Sequence, residues 1–294
     1  MRITLKRLWL VLACAAYGCT GESGDSANSM DAARAPDGTI AADASLGERV
    51  DAATDDARVV DAGAPMDSGM EADGGTMPAT AQSVLFVGNS FTFWMDGLDT
   101  HLAAFHGASG TQGTLETDAV VRGGASLEVM WERTPARRRI ENGSFDVVVL
   151  QEDIPETDVE TFFVYARRFV ETIRAAGGRP VLFMAWDYAR LGWISMDEIA
   201  EAHLTIAAEL EVEVVPAGLA WQRAATARPA LSMYDQDEEH PSIHGVYLNT
   251  CVVYARLFGE SPIGNAYRPA QEGGVTDADA LFLQTIAWET VNDE

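Results

Sequence analysis

From residue 84 onward the chain alternates short apolar runs with longer amphipathic segments, and this alternation restricts its possible folds more than any other feature. The runs are VLFVG (84–88), LETDAVV (115–121), DVVVLQ (146–151), PVLFMAW (180–186) and VEVVP (212–216). Several are apolar at every position rather than at alternate ones, the pattern of a strand covered on both faces. Helix-like segments lie near 97–106, 126–134, 157–176, 195–210, 244–258 and 277–291. This order predicts a three-layer α/β/α sandwich around a central parallel sheet of about five strands. Residues 84–294 suit one domain with a full core. In such a sheet the functional groups belong to loops leaving the carboxyl ends of the strands.

What precedes the domain reads differently. Residues 1–19 combine basic Arg2, Lys6 and Arg7 with an apolar run from Leu8 to Tyr17 and a small residue before Cys19. That is a secretory signal, too short to cross a bilayer as a stable helix. The cysteine at the cleavage point resembles a bacterial lipoprotein leader, which would make Cys19 the acylated first residue and put the protein outside the cytoplasm on a lipid anchor. Residues 11–14 form a weaker alternative box, and an unlipidated, secreted product is the other outcome. Residues 20–83 are rich in Ala, Asp, Gly, Ser and Met and contain no aromatic residue. Their 13 acidic and 3 basic groups and lack of apolar periodicity predict a disordered, self-repelling tether.

Charge and scarcity narrow the chemistry. A formal net charge of -25 argues against a nucleic-acid partner, because phosphate binding needs a basic surface. Lysine occurs once, at Lys6, so the domain has no P-loop lysine, Schiff-base lysine or Ser-Lys pair. Cys251 is its single cysteine, which excludes an internal disulfide framework and a multi-cysteine zinc site. Within a predicted helix, Cys251 reads as a small buried hydrophobe.

The first strand runs into Gly88-Asn89-Ser90. Gly88 allows a tight exit and Ser90 would stand at the carboxyl edge, beside the unpaired N–H groups of a helix start. A serine hydroxyl needs a base, and with lysine absent that base is histidine. His101, His106 and His203 fall in or beside helices, whereas His240 and His244 lie in the acidic stretch MYDQDEEHPSIHGVYL. Pro241 disfavours helical geometry at His240, making it the best base available. Asp237, three residues earlier, can reach back to its Nδ1–H, with Asp235, Glu238 and Glu239 as competitors. A metal site built from Asp235, Asp237, His240 and His244 is the rival reading, although it lacks a His-Glu-x-x-His pattern or a calcium-loop glycine.

Gly88-Asn89-Ser90, a Gly-rich turn after the second strand, a polar residue after the third and Asp-x-x-His before the last helices together resemble the SGNH (GDSL-type) hydrolase superfamily, over about residues 84–259. The resemblance implies a flavodoxin-like fold, with Ser90 as nucleophile, His240 as general base, Asp237 as its orienting acid and no cofactor or metal. It also implies an oxyanion hole formed by the N–H groups of Ser90 and Gly124, with Gly123 as runner-up for the second. The third donor in the superfamily is usually an Asn side chain, and here the block reads Val149-Leu150-Gln151-Glu152-Asp153. The Leu-Gln-Glu form looks like a sub-branch of the superfamily in which Gln151 takes that role. The implied activity is hydrolysis of small acyl esters, acetyl on a polysaccharide among them. A catalytically silent carbohydrate-binding lipoprotein and a metal-dependent hydrolase are the alternatives. Trp94, Trp131, Trp186 and Trp193 are potential sugar platforms or plain core residues.

Overall fold

The computed structural model describes residues 81–111, 113–154, 156–270 and 274–293. The expected signal, Cys19 and nearly all of the expected tether lie outside the described residues. Five strands form one parallel sheet: β1 (Ser83–Gly88), β2 (Glu116–Val121), β3 (Val147–Gln151), β4 (Arg179–Phe183) and β5 (Glu213–Val215), in the order β2-β1-β3-β4-β5. The helices are α1 (Ser90–Phe93), α2 (Leu98–Ala108), α3 (Leu127–Arg133), α4 (Ala136–Asn142), α5 (Val159–Ala175), α6 (Met196–Leu210), α7 (Ala217–Ala227), α8 (Ile243–Phe258) and α9 (Asp277–Asn292).

Successive strand residues divide between two cores, as the pleat demands. Val84, Phe86, Val147, Val149, Val181 and Phe183 face a core closed by α2, α7, α8 and α9. Leu85, Val87, Val148, Leu150 and Leu182 face one closed by α3, α4, α5 and α6. The three-layer α/β/α architecture follows from this double coverage. α8 is buried at twelve of its sixteen positions, which is why its sequence is apolar nearly all round instead of striped. Helix starts follow side-chain capping: Ser126, Asp158, Ser242 and Thr276 accept from first-turn N–H groups, and Ser195 with Glu198 forms a capping box.

Two helices and several ends depart from expectation. α4 reads ARRRIEN, with only Ala136 and Ile140 buried, so its apolar period is too sparse to read. α7 is built largely of alanine and buries Ala217, Ala220, Trp221 and Ala224. Small side chains pack closely there but give a weak pattern. β4 ends at Phe183 because β5 supplies only three partners, Glu213 to Val215. Met184, Ala185 and Trp186 continue beyond the ladder as buried loop residues. Among the described residues no helix is long and apolar enough to cross a membrane.

Candidate active site

All the parallel strands point their carboxyl ends at one edge, and the central strand β3 and its neighbour β1 deliver adjacent loops there. β1 leaves the sheet through Gly88. A Cβ at this position would collide with Thr92 Oγ1 and lie 2.6 Å from Gln151 Oε1, so the turn requires glycine. Asn89 follows in extended geometry and caps α1, accepting from Phe91 N–H at 3.1 Å. Ser90 is thus the first residue of a helix and stands half-exposed at the sheet edge. The capping function falls to Asn89, which leaves the Ser90 side chain free for another partner.

That partner is His240. Its Nε2 lies 2.8 Å from Ser90 Oγ across 150 residues of sequence, and its Nδ1 lies 2.6 Å from Asp237 Oδ2. The other Asp237 oxygen accepts from the backbone N–H groups of Glu239 (3.0 Å) and His240 (2.9 Å). Burial acts to raise the Asp237 pKa, but the hydrogen bonds from the His240 side chain and these amides outweigh it and hold the carboxyl below its usual value. The loop carrying both residues is closed at its base by a bridge between Tyr234 and Pro241, and Asp235 N–H donates to His240 O at 2.8 Å. Glu238 adopts φ +60° in this loop, a left-handed conformation unusual for a side chain of that size. The tight turn it makes lets Asp237 face the imidazole three residues on. Trp94 stacks on the His240 ring, centroids 4.0 Å apart and 18° between planes, and Phe91 presents its ring edge at 5.7 Å.

The Gly-rich turn lies beside the β1 exit, with Arg122 N–H bonded to Gly88 O at 3.1 Å. Gly124 sits at φ +59°, where glycine is favoured, and Ala125 N–H donates to Arg122 O at 3.2 Å to close the turn. The N–H groups of Ser90, Gly123 and Gly124 donate to no other described residue. These unpaired donors beside a serine hydroxyl suit an oxygen that gains negative charge.

Gln151 sits otherwise than expected. It is 1% exposed, and its Oε1 accepts from Asn89 N–H at 2.8 Å and Thr92 Oγ1–H at 3.2 Å while its Nε2 donates to Glu152 O at 2.6 Å. Rotating the carboxamide would set oxygen against oxygen and donor against donor, so the orientation is fixed. The cause is the register: β1 and β3 are direct neighbours, with Val87 opposite Leu150, so the next residue of β3 lies beneath the β1 exit. Gln151 therefore acts as a buttress for the Gly88-Asn89 turn, with one amide hydrogen committed away from Ser90.

The residues of the rival metal reading do not converge. Both His240 nitrogens face Asp237 and Ser90, while His244 Nε2 lies 3.8 Å from Asp279 on α9. Among the described residues no three or more His, Cys, Asp or Glu side chains form a cluster suited to a metal ion. His101 is tied to Tyr267 Oη and Met95 O, and His203 is fully buried, which pushes its pKa down to about 4. Cys251 is buried in α8. Trp186 is core, stacked on Trp221 at 3.7 Å and donating to Glu239 O. Trp131 packs on Phe169. Only Trp193, in the loop from β4 to α6, has the broad exposure of a platform.

Sequence reasoning missed the surroundings of the site. Asp153 is buried and accepts from Tyr188 Oη–H, and burial raises its pKa to about 6. Burial likewise raises that of Glu152 to about 7. Arg190 joins Glu156 at 3.0 Å, Glu239, and through its N–H the carbonyl of Glu238. The available signal was two acidic residues directly after a strand that is apolar up to its last residue, Gln151, where solvation alone does not explain them.

No family model matches the sequence, and no curated protein matches it. Solved structures similar to the chain include SGNH and GDSL-type hydrolases. A candidate SGNH hydrolase from Slackia heliotrinireducens is 25% identical, with a TM-score of 0.48, covering 59% of this chain and 97% of its own. A DUF4886 family protein from Bacteroides uniformis is 18% identical with a TM-score of 0.53, covering 71% of this chain and 94% of its own. A lipase/acylhydrolase from Enterococcus faecalis is 15% identical with a TM-score of 0.47, covering 60% and 96%. The similarity to the Bacteroides protein is one of fold.

Proposed function

We propose that this chain is a serine ester hydrolase of the SGNH type, and the observation that carries the reading is the continuous hydrogen-bond chain Asp237–His240–Ser90 at 2.6 and 2.8 Å. Asp237 fixes the imidazole with Nδ1 as donor, leaving Nε2 to take the Ser90 proton as Oγ attacks an ester carbonyl. The imidazolium then protonates the departing alcohol. The acyl-enzyme is released when His240 takes a proton from water and the hydroxide attacks the same carbon, returning the proton to Ser90 Oγ. Through both tetrahedral stages the unpaired N–H groups of Ser90 and Gly124 hold the oxyanion, with Gly123 adjacent.

The substrate in this reading is a small acyl ester, such as acetyl on a carbohydrate. Support comes from the ring of Trp94 packed over His240, which narrows the space around the base, and from exposed Trp193 at the same edge of the sheet. The leader's composition supports secretion and acylation at Cys19, which makes the enzyme a lipid-anchored extracytoplasmic protein. Labelled palmitate incorporated into a Cys19→Ala protein would exclude that attachment site.

The decisive experiment measures p-nitrophenyl acetate hydrolysis and fluorophosphonate labelling for wild type, Ser90→Ala and EDTA-treated protein. Wild type is expected to label and turn over with or without EDTA, and Ser90→Ala to lose both. Turnover that survives Ser90→Ala, or is lost with EDTA alone, would overturn the serine mechanism.

A further inference from the structure

The turn that carries Gly123 and Gly124 is suspended between two anchors. On one side Arg122 N–H is bonded to Gly88 O at the end of β1. On the other, Leu127 N–H, the first of α3, is shared by both carboxylate oxygens of Glu152 at 3.2 Å each. Glu152 is itself immobilised. It is 1% exposed, its Oε1 also accepts from Asp153 N–H at 2.7 Å, and its carbonyl receives the Gln151 amide at 2.6 Å. Ser126 caps a different group, Val129 N–H, so Glu152 is the acceptor for the first amide of the helix. Burying a carboxyl group is unfavourable, yet the hydrogen bonds of Glu152 join the end of β3 to the start of α3.

Resting on the serine-hydrolase reading, we infer that Glu152 is a positioning residue for the oxyanion site: it holds the α3 end of the Gly123-Gly124 turn against the nucleophile turn and touches no substrate. Gln151, the preceding residue, holds the nucleophile turn itself through Asn89 N–H. The two consecutive side chains thus fix, from one strand end, the two turns that must stay in register for attack and charge stabilisation to coincide. Displacements of about 1 Å in such a pair are enough to slow turnover by on the order of 10²-fold.

The test compares Glu152→Ala, Glu152→Gln and Glu152→Asp in the full protein. Turnover is normalised to fluorophosphonate-titrated sites, and amide hydrogen exchange is followed across 122–130. Glu152→Ala is expected to lower kcat per titrated site by roughly 10- to 100-fold with KM changed by less than about twofold, since an oxyanion donor is misplaced and ground-state binding is not. Exchange at Leu127 should rise at least about tenfold. Glu152→Gln keeps an acceptor in place and should restore both readouts, whereas Glu152→Asp withdraws it and should fall between. The aspartate variant decides the matter if the alanine variant fails to fold. Unchanged kcat per titrated site in Ala or Asp, or unchanged exchange at 122–130, would overturn the inference. A wild type that neither labels nor turns over would instead overturn the serine reading, and the exchange data would still show whether Glu152 holds the turn.

Discussion

The nucleophile turn and the acid–base loop meet in a single hydrogen bond, yet they are held by opposite means. Asn89, Gln151, Glu152 and Asp153 are all at most 3% exposed, and bonds among and from them join different elements, the ends of β1 and β3, α3 and the loop after β4. The loop from Tyr234 to Pro241 is exposed at its tip, with the Asp237 side chain at 44%, and is shaped by bonds within itself together with ties from Trp186 and Arg190 in the loop after β4. One half of the site is therefore a property of the sheet, and the other chiefly of one loop and its neighbour after β4. Damage to the first should appear as lost stability together with lost rate, and damage to the second as lost rate alone.

Asp237→Asn is the sharpest way to break that contrast. The amide can no longer hold the imidazole in the required tautomer and orientation, so kcat/KM should fall by about 10²- to 10⁴-fold. The melting temperature should stay close to wild type because the loop closes through the Tyr234 bridge and backbone bonds. A melting temperature lowered as far as by the buried variant Gln151→Ala below would show that the loop is not locally built.

Glu152→Gln probes the buried half through pH. Burial raises the Glu152 pKa from 4.5 to about 7, so the native state holds a proton that the unfolded chain releases as pH rises through that interval. Stability contributed by the protonated form is present below pH 4.5 and is lost as pH climbs to about 7. A glutamine has no such loss. The variant should therefore gain on wild type between pH 5 and 8, by up to about 3 kcal/mol at 1.4 kcal/mol per pKa unit. Asp153, also raised by burial, weakens both proteins alike. Denaturant titrations giving the same difference at pH 5 and pH 8 would refute it.

Gln151→Ala removes the acceptor for Asn89 N–H and leaves that buried group unpaired, at about 1 to 3 kcal/mol. A lower melting temperature and a slower enzyme should appear together. Had Gln151 been an oxyanion donor alone, rate would fall with stability intact, so chemical denaturation of this variant separates the two roles.

These cases explain what was legible in the sequence. Asp237 and His240 are three residues apart, and the absence of lysine from the domain left few bases, so local spacing and elimination were enough to nominate both. The strands were readable because double coverage makes them continuously apolar. The buttressing contacts of Gln151 are not legible locally, because its direction depends on which strand lies beside β3, and no local pattern records that β1 does. The partner of Glu152 is 25 residues away on another element, which again only the packed sheet reveals. α7 escaped notice because alanine packs well without marking a face.

Arg190→Ala should have the smallest effect and is the most direct test of whether the two halves are independent. Its guanidinium spans Glu156 in the loop after β3 and Glu239 in the acid–base loop, 5.1 Å from the Tyr188 ring centroid. It is thus a side-chain tie between the sheet-built half and the loop-built half. Exposed pairs contribute little, so kcat/KM should fall by about threefold or less. Its sign under salt is more telling. In wild type, screening weakens an attraction that steadies the loop, so activity should decline modestly as ionic strength rises. In the variant Glu156 and Glu239 no longer share a cation and only repel, so added salt should leave activity level or raise it. Parallel salt profiles for the two proteins would mean that the acid–base loop keeps its geometry without this tie.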